Sequence, residues 1–379
     1  MNTFNICANF GIETITAKEI KTGIINDTFV VTDKNGKKYI LQEINSTVFK
    51  NVDGLMNNIE KVTNYLKEKI TQEGGDAKRE TLTLIKNINT DKPYLKIKDD
   101  NGSEHFFRMY EYIDNASTYD EASEQYLFEA GKGFGKFQRQ LDGFDASELI
   151  ESIPNFHNTR KRLEAFLSSL DNAYKQKDSD YISDAYSCIK YALKHADISN
   201  IIMDALETGK IPTRVVHNDT KLNNVMLDNN NNQALCVIDL DTIMPGTMLF
   251  DYGDAIRSGA NAGLEDDVNL KNVYLDKSKF EAYTKGFVSE IAPIMTPEEL
   301  KMLAKAPIVL TYELGLRFLT DYLDGNKYFK CDLTRPKHNL ERAKAQFTLT
   351  QDLIKNYSYM NQFTNEIYNE YKLDSSKQR

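Results

Sequence analysis

Residues 217–224 read His217-Asn218-Asp219-Thr220-Lys221-Leu222-Asn223-Asn224, and an apolar run leads on to Val237-Ile238-Asp239-Leu240-Asp241. Asp219 precedes Lys221 by two residues and Asn224 by five, and Asp239 follows Asn224 by fifteen. A carboxylate, an ammonium, an amide and a second carboxylate in this order suit the transfer of a γ-phosphoryl group to an alcohol. That reaction needs a carboxylate to orient the acceptor hydroxyl and take its proton, and oxygen ligands that hold Mg²⁺ against the phosphates. Asp219 suits the first task. Mg²⁺ keeps several waters and takes few protein oxygens, so the amide of Asn224 and the carboxylate of Asp239 would suffice. Lys221 would neutralise the transferring phosphate.

The loop also has a plainer reading. It lies between the apolar segments Arg214-Val215-Val216 and Val225-Met226-Leu227-Asp228, and Asn and Asp are common in hairpin turns. Turn chemistry alone does not separate the two readings. The second carboxylate, Asp239, at a suitable distance on a second strand favours the reactive one.

Elements must position these groups. Residues 12–19, 28–32 and 38–44 are β-rich, and Asp33-Lys34-Asn35-Gly36 forms a tight turn between the last two. Leu55, Ile59, Val62, Leu66 and Ile70 recur at helical spacing, and Gly74-Gly75 ends that pattern. Residues 94–98 and 105–112 predict two further strands, the second running into a turn at Asp114-Asn115. From residue 123 the texture becomes helical. Residues 123–141 carry Leu127, Ala130, Phe134 and Phe137, with Gly131, Gly133 and Gly135 permitting close packing at a cost of about 1 kcal/mol each. Residues 155–208 predict two amphipathic helices separated by the polar residues 175–179. Beyond the two catalytic strands and their polar turn at 229–232, residues 300–323 predict one apolar helix containing Pro307. In the tail, residues 338–371, a seam of Leu340, Ala343, Phe347, Ile354, Tyr357 and Met360 would pack on the core. The expected fold class is α+β and bilobal: a small antiparallel-sheet N-lobe over residues 1–112 binding nucleotide, and a large, mainly helical C-lobe over 113–379 binding the acceptor, with a helical insertion at about 145–210.

Composition excludes several classes. A chain of 379 residues is long for one core, and 41% apolar with 27% charged residues suits a globular protein. The net charge of -9, with no Lys/Arg stripe, argues against nucleic-acid binding. The short basic run 34–38 reads as a solvated hairpin tip. No secretory signal opens the chain and no apolar run is long enough to span a bilayer, so no membrane partner is expected. Cys7, Cys188, Cys236 and Cys331 are scattered, as free thiols in a reducing cytoplasm would be. A cytoplasmic location also supplies ATP and Mg²⁺.

Six stretches resemble the aminoglycoside phosphotransferase and choline kinase family. They are Ile25-Asn26-Asp27-Thr28-Phe29, Tyr39-Ile40-Leu41-Gln42, residues 217–224, residues 237–246, Phe250-Asp251-Tyr252-Gly253-Asp254-Ala255-Ile256-Arg257, and Glu313-Leu314-Gly315-Leu316-Arg317-Phe318-Leu319-Thr320-Asp321-Tyr322. Protein kinases space their catalytic loop and metal-binding Asp similarly. Within the family, the last two stretches make the chain similar to N-acetylhexosamine 1-kinases, whose relatives are also labelled mucin-desulfatase-like. The resemblance implies a kinase-like fold, ATP as donor, Mg²⁺ as cofactor and the anomeric hydroxyl of GlcNAc or GalNAc as acceptor. It implies Asp219 as base, Asn224 and Asp239 as metal ligands, Asp241 as a secondary metal or water-mediated candidate, and His217 as a buttress of the loop. Sulfatase chemistry has no support, since none of the four cysteines has the surroundings of a sulfatase nucleophile.

The chain departs from the kinase pattern in its N-lobe. Where protein kinases and many phosphotransferases place a Lys on the third strand, it has Gln42, which hydrogen-bonds a phosphate but does not neutralise it. Lys221 or the metal would then supply the charge, and the helical Glu that normally pairs with that Lys has no clear counterpart beyond the nearby Glu60. The expected nucleotide loop has the single glycine Gly23, and backbone amides from Gly23 through Asn26, Asp27 and Thr28 would cover the phosphates. Adenine would meet the backbone around Tyr110 and Tyr112. For the sugar, the candidates are Asn218, Asp251, Arg257 and Arg317. Against this, Asp251 and Arg257 would also serve as a structural pair, and Arg317 would also satisfy buried carbonyls. Two alternatives stay open: a kinase of choline, ethanolamine or an aminoglycoside, and a nucleotide-binding pseudokinase, which Gln42 favours.

Overall fold

The structure is a computed structural model that describes residues 2–20, 25–176 and 179–377. The chain divides into two compact units, one of Met1–Ser117, Gly143–Pro154 and Met226–Pro245, the other of Thr118–Asp142, Asn155–Val225 and Gly246–Arg379.

The first unit opens with α1 (Thr3–Ala8), β1 (Thr14–Ile20), β2 (Asp27–Asp33) and β3 (Lys38–Ile44), followed by α2 (Val52–Gln72) and α3 (Ala77–Glu80). β4 (Leu84–Ile85), β5 (Leu95–Lys98), β6 (Glu104–Glu111) and β7 (Ala116–Ser117) complete its N-terminal part. The antiparallel sheet runs β1-β2-β3-β6-β4, with β5 also on β6. Alternation sends Val31, Tyr39, Leu41, Phe107 and Met109 to one face, where they pack on Ile6, Cys7 and Phe10. The expected turn forms because Asp33 Oδ1 accepts the main-chain N–H of Asn35 (2.8 Å) and Lys37 (2.9 Å), and Gly36 adopts φ +82°. α2 buries the predicted Leu55, Ile59, Val62, Leu66 and Ile70, and is capped by Asn51. It also buries Asn58, whose Nδ2 donates to the carbonyls of Ile150 (2.8 Å) and Ile243 (3.0 Å), tying later chain into this unit. α1 and the two-residue strands β4 and β7 had no periodic signal to announce them.

The second unit is mainly helical, so the α+β class holds: an antiparallel N-terminal sheet precedes a mainly helical remainder. α4 (Glu124–Gln140), α5 (Thr159–Gln176), α6 (Ser179–Lys194) and α7 (Ile201–Glu207) lead to β8 (Arg214–Val216). β9 (Val225–Asp228) and β10 (Ala234–Val237) form the hairpin that returns the chain to the first unit, and β7 pairs with β9 there. The remainder is α8 (Met248–Gly259), α9 (Lys277–Ile291), α10 (Pro297–Leu303), α11 (Ala306–Leu323), α12 (His338–Lys355) and α13 (Tyr357–Lys377). Two of the glycines of α4 serve contact: a Cβ on Gly131 would lie 2.3 Å from the carbonyl oxygen of Tyr283 and one on Gly135 2.7 Å from that of Phe287, while one on Gly286 of α9 would lie 2.0 Å from that of Phe128.

Three helical expectations need correction. Residues 300–323 are two helices, because Pro307 lies in the first turn of α11, where its missing N–H leaves no bond unmade. The tail seam is carried by two helices, α12 and α13, and while Leu340, Ala343, Phe347 and Met360 are buried, Ile354 at the end of α12 is 39% exposed and leaves the seam. The 155–208 segment holds α7 and a preceding 3₁₀ turn in addition to two helices. Among the described residues no helix is long and apolar enough to cross a membrane.

Candidate functional site

In the second unit, loop 217–224 leaves β8 with Asn218 in the left-handed region, φ 66°. Asn tolerates that conformation better than most residues, yet something must hold it. The first turn of α8 does so. Asp251, wholly buried, accepts the main-chain N–H of His217 on Oδ2 (3.0 Å) and that of Asn218 on Oδ1 (2.7 Å), and Gln138 also donates to Oδ2. Thr220 donates its hydroxyl to the carbonyl of Asp251 (2.6 Å) and its N–H to Asp254 (3.2 Å). Burial pushes the Asp251 carboxyl above the usual carboxylate range, against the pull of these donors. His217 stands edge-on to Phe134 and Phe137, and its Nδ1 accepts the N–H of Asp219 (3.3 Å).

Asp219 itself is partly exposed. Its Oδ1 lies 2.8 Å from Lys221 Nζ, while Asn224 Nδ2 donates to its carbonyl (2.8 Å) and to Oδ2 (3.2 Å). Burial disfavours the charge on Lys221, but the Asp219 carboxylate outweighs this and holds the ammonium above its ordinary value. With its amide nitrogen committed to Asp219, Asn224 presents Oδ1 as the atom it can offer a cation, the hard oxygen donor Mg²⁺ prefers.

Of the four sugar candidates, Asn218 belongs to the loop and Asp251 lies beneath it. Arg257 pairs with Asp254 rather than with Asp251: its Nε and Nη2 donate to Asp254 Oδ1 (2.9 and 2.7 Å) and its Nη1 to Glu265 (3.1 Å). Burial opposes ionisation of Asp254, and the Arg257 guanidinium overrides it, holding that carboxyl low. Arg317 lies between the rings of Phe156 and Phe329, 5.2 and 5.4 Å from their centroids, and 3.8 Å from Glu313.

Glu313 leads to a residue the sequence did not single out. His157, buried, meets Glu313 through Nδ1 (3.1 Å) and the carbonyl of Asn218 through Nε2 (3.2 Å). Burial resists protonation of this imidazole, but Glu313 prevails and raises it above its ordinary value. Nothing in the sequence near His157 marks it, although Glu313 stands in one of the quoted stretches.

The first unit holds the remaining candidates. Asp239 is exposed and lies two residues beyond β10 with φ 59°, not on the strand as expected. The chain turns sharply there, and Asp adopts that region more readily than a β-branched residue would. Asp241 is buried, and its Oδ2 accepts from Asn26 Nδ2 (2.6 Å). Gln42 donates to Thr28 Oγ1 (3.1 Å) and accepts from Nε of Arg108 (2.9 Å), a residue no sequence signal had raised. Arg108 is buried, pairs with Asp241 and stacks 5.4 Å from the centroid of Tyr110. Burial opposes its charge, and Asp241 more than compensates, so the guanidinium is held above its usual range. Glu60 pairs with Lys86 (3.2 Å). Asp27 is exposed at the start of β2, Tyr112 carries Lys38 Nζ 5.3 Å from its ring centroid, and Gly23 falls outside the described residues.

Comparison with known proteins gives the same direction. The sequence profile described as "Phosphotransferase enzyme family" matches residues 16–284. Among solved structures, the chain is similar to the amicoumacin kinase hAmiN in complex with AMP-PNP, Ca²⁺ and Ami, at TM-score 0.51 and 11% identity, covering 93% of this chain and 88% of that one. It is also similar to a Plasmodium vivax ethanolamine kinase (TM-score 0.49, 11% identity, 87% and 82% covered) and to aminoglycoside phosphotransferase APH(2'')-Ib with ADP bound (0.49, 14%, 93% and 98%).

Proposed function

We propose that this chain, which belongs to the phosphotransferase enzyme family, transfers the γ-phosphoryl group of ATP to the anomeric hydroxyl of an N-acetylhexosamine. The observation that carries the reading is the loop around Asp219, which is fixed from below by Asp251 while the Asp219 carboxylate stays partly exposed. A carboxylate held in place by its surroundings loses little freedom when it receives an acceptor hydroxyl.

In this account the acceptor oxygen attacks the γ-phosphorus as its O–H proton passes to Asp219, and the bond to the ADP oxygen breaks. Lys221, kept charged beside Asp219, neutralises the transferring group. Asn224 Oδ1 and the Asp239 carboxylate would hold Mg²⁺, which when bound supplies charge compensation at the phosphate oxygens. The backbone of the segment from Gly23 to Thr28 would cover the phosphates, and backbone groups around Tyr110 to Ile113 would meet the adenine.

Sugar as acceptor is supported by the character of the loop's surroundings. Asp254, Arg257, Glu313, Arg317 and His157 make them rich in charged hydrogen-bonding groups, as a hydroxyl array requires, and the sequence contains no Trp for an aromatic ammonium cage. The net charge of -9 favours a cationic acceptor, and so do the 21 Tyr and 19 Phe, whose rings also suit an ammonium. N-acetylhexosamines tested beside choline, ethanolamine and an aminoglycoside at equal concentration separate the readings. ADP release stimulated by the sugars supports the proposal, whereas stimulation confined to the amines replaces it with an amine or aminoglycoside kinase.

A further inference from the structure

We propose that Arg108 supplies the phosphate-facing positive charge that the third strand lacks, the cation having moved from β3 to its neighbour β6. The inference rests on the reading of the chain as an ATP-dependent kinase. β3 and β6 are antiparallel with Gln42 directly opposite Arg108, so the two side chains share one face of the sheet. A cation at this register position of β6 therefore emerges beside the position where a β3 lysine would begin.

Arg108 has five N–H donors in a rigid fork, and the structure uses them unevenly. Nε donates to Gln42 (2.9 Å) and Nη1 to Asp241, while among the described residues no acceptor takes Nη2. The side chain as a whole is 1% exposed, and a ligand oxygen that reached Nη2 would add a charge-assisted hydrogen bond to the two already made. Gln42 then acts as a positioning residue: its amide oxygen fixes Nε and its amide nitrogen is anchored on Thr28.

The partners of this cation lie where nucleotide chemistry is expected. Asp241 stands two residues after Asp239 and also accepts from Asn26, whose Oδ1 accepts the N–H of Asn45 (3.0 Å). The segment entering β2, the end of β3 and the segment following β10 thus meet around one guanidinium. In a lysine-bearing kinase the β3 cation is held by a helical Glu. Here Glu60 of α2 is engaged with Lys86, and the holding carboxylate comes from Asp241.

ADP binding measured by calorimetry with EDTA present tests this without any contribution from a metal. The double variant Arg108→Gln/Asp241→Asn removes both charges together and so avoids stranding one of them in the interior. It is expected to bind ADP at least about tenfold more weakly than wild type, with part of the affinity restored when Gln42→Lys is added. Arg108→Lys, which keeps the ion pair with Asp241 but loses the Nη2 arm, is expected to weaken ADP severalfold and guards against a double variant that does not fold. Unchanged ADP affinity in either folded variant overturns the role of Arg108 while leaving the kinase reading intact. A wild-type protein that binds no adenine nucleotide overturns that reading and this inference together.

Discussion

The carboxylate of Asp251 accepts the main-chain N–H of Asn218 at 2.7 Å, one residue before Asp219. A helix's first turn thereby holds a left-handed residue in place, and the side chain that follows inherits its direction. Asp251→Ala would leave two buried N–H groups without their acceptor. It is expected to cost about 3 kcal/mol in urea denaturation and, in the fraction that folds, to lower kcat about 100-fold through misplacement of Asp219. ADP affinity should change little, and an unaltered kcat would show that the loop does not depend on this anchor.

Gly286 tests the packing of α9 on α4, the helix whose Phe134 and Phe137 face His217. A Cβ there would fall 2.0 Å from the carbonyl oxygen of Phe128, which is backbone and has no rotamer to yield. Gly286→Ala should destabilise the protein by about 1–3 kcal/mol, seen as a lower Tm, despite the better helix propensity of Ala. An equal or higher Tm would contradict the close approach of α4 and α9.

His157 gives stability a dependence on pH. Its imidazole is held above the ordinary value of 6.5 by Glu313 acting against burial. A group whose folded pKa is raised contributes stability that is fully present below its unfolded value and is lost as pH rises through the folded one. The Tm difference between wild type and His157→Gln should therefore be largest below about pH 6.5 and shrink above it. A difference that grows with pH would mean that the imidazole is neutral in the fold.

Asp219→Asn keeps the shape of the side chain and removes its basicity. Turnover should fall by at least about 100-fold, within the range general-base removal produces, while ADP binding followed by calorimetry stays within about threefold of wild type. Undiminished acceptor-dependent ADP release would take the proton from some other group.

What the sequence disclosed follows the range of the interactions. β3 and α2 were legible because alternation, helical spacing and the Asp33–Gly36 turn are local signals, and the loop at 217–224 because its residues lie side by side in the chain. Pro307 was misplaced because a proline that opens a helix and one that bends it look alike without the neighbouring helix boundary. Asp239 was assigned to a strand because the apolar run continues past the last paired residue. Arg108 and His157 were missed for a common reason. Their meaning lies in a strand register and in a partner 156 residues away, and neither leaves a mark on adjacent residues.

Phosphorus NMR of the product formed from ATP and GalNAc or GlcNAc identifies directly the atom that receives the phosphoryl group. A new phosphomonoester resonance coupled to the anomeric proton is expected, formed only with enzyme and acceptor together. A phosphate coupled to a ring or C6 proton, or no sugar phosphate alongside turnover of choline, ethanolamine or an aminoglycoside, would contradict it.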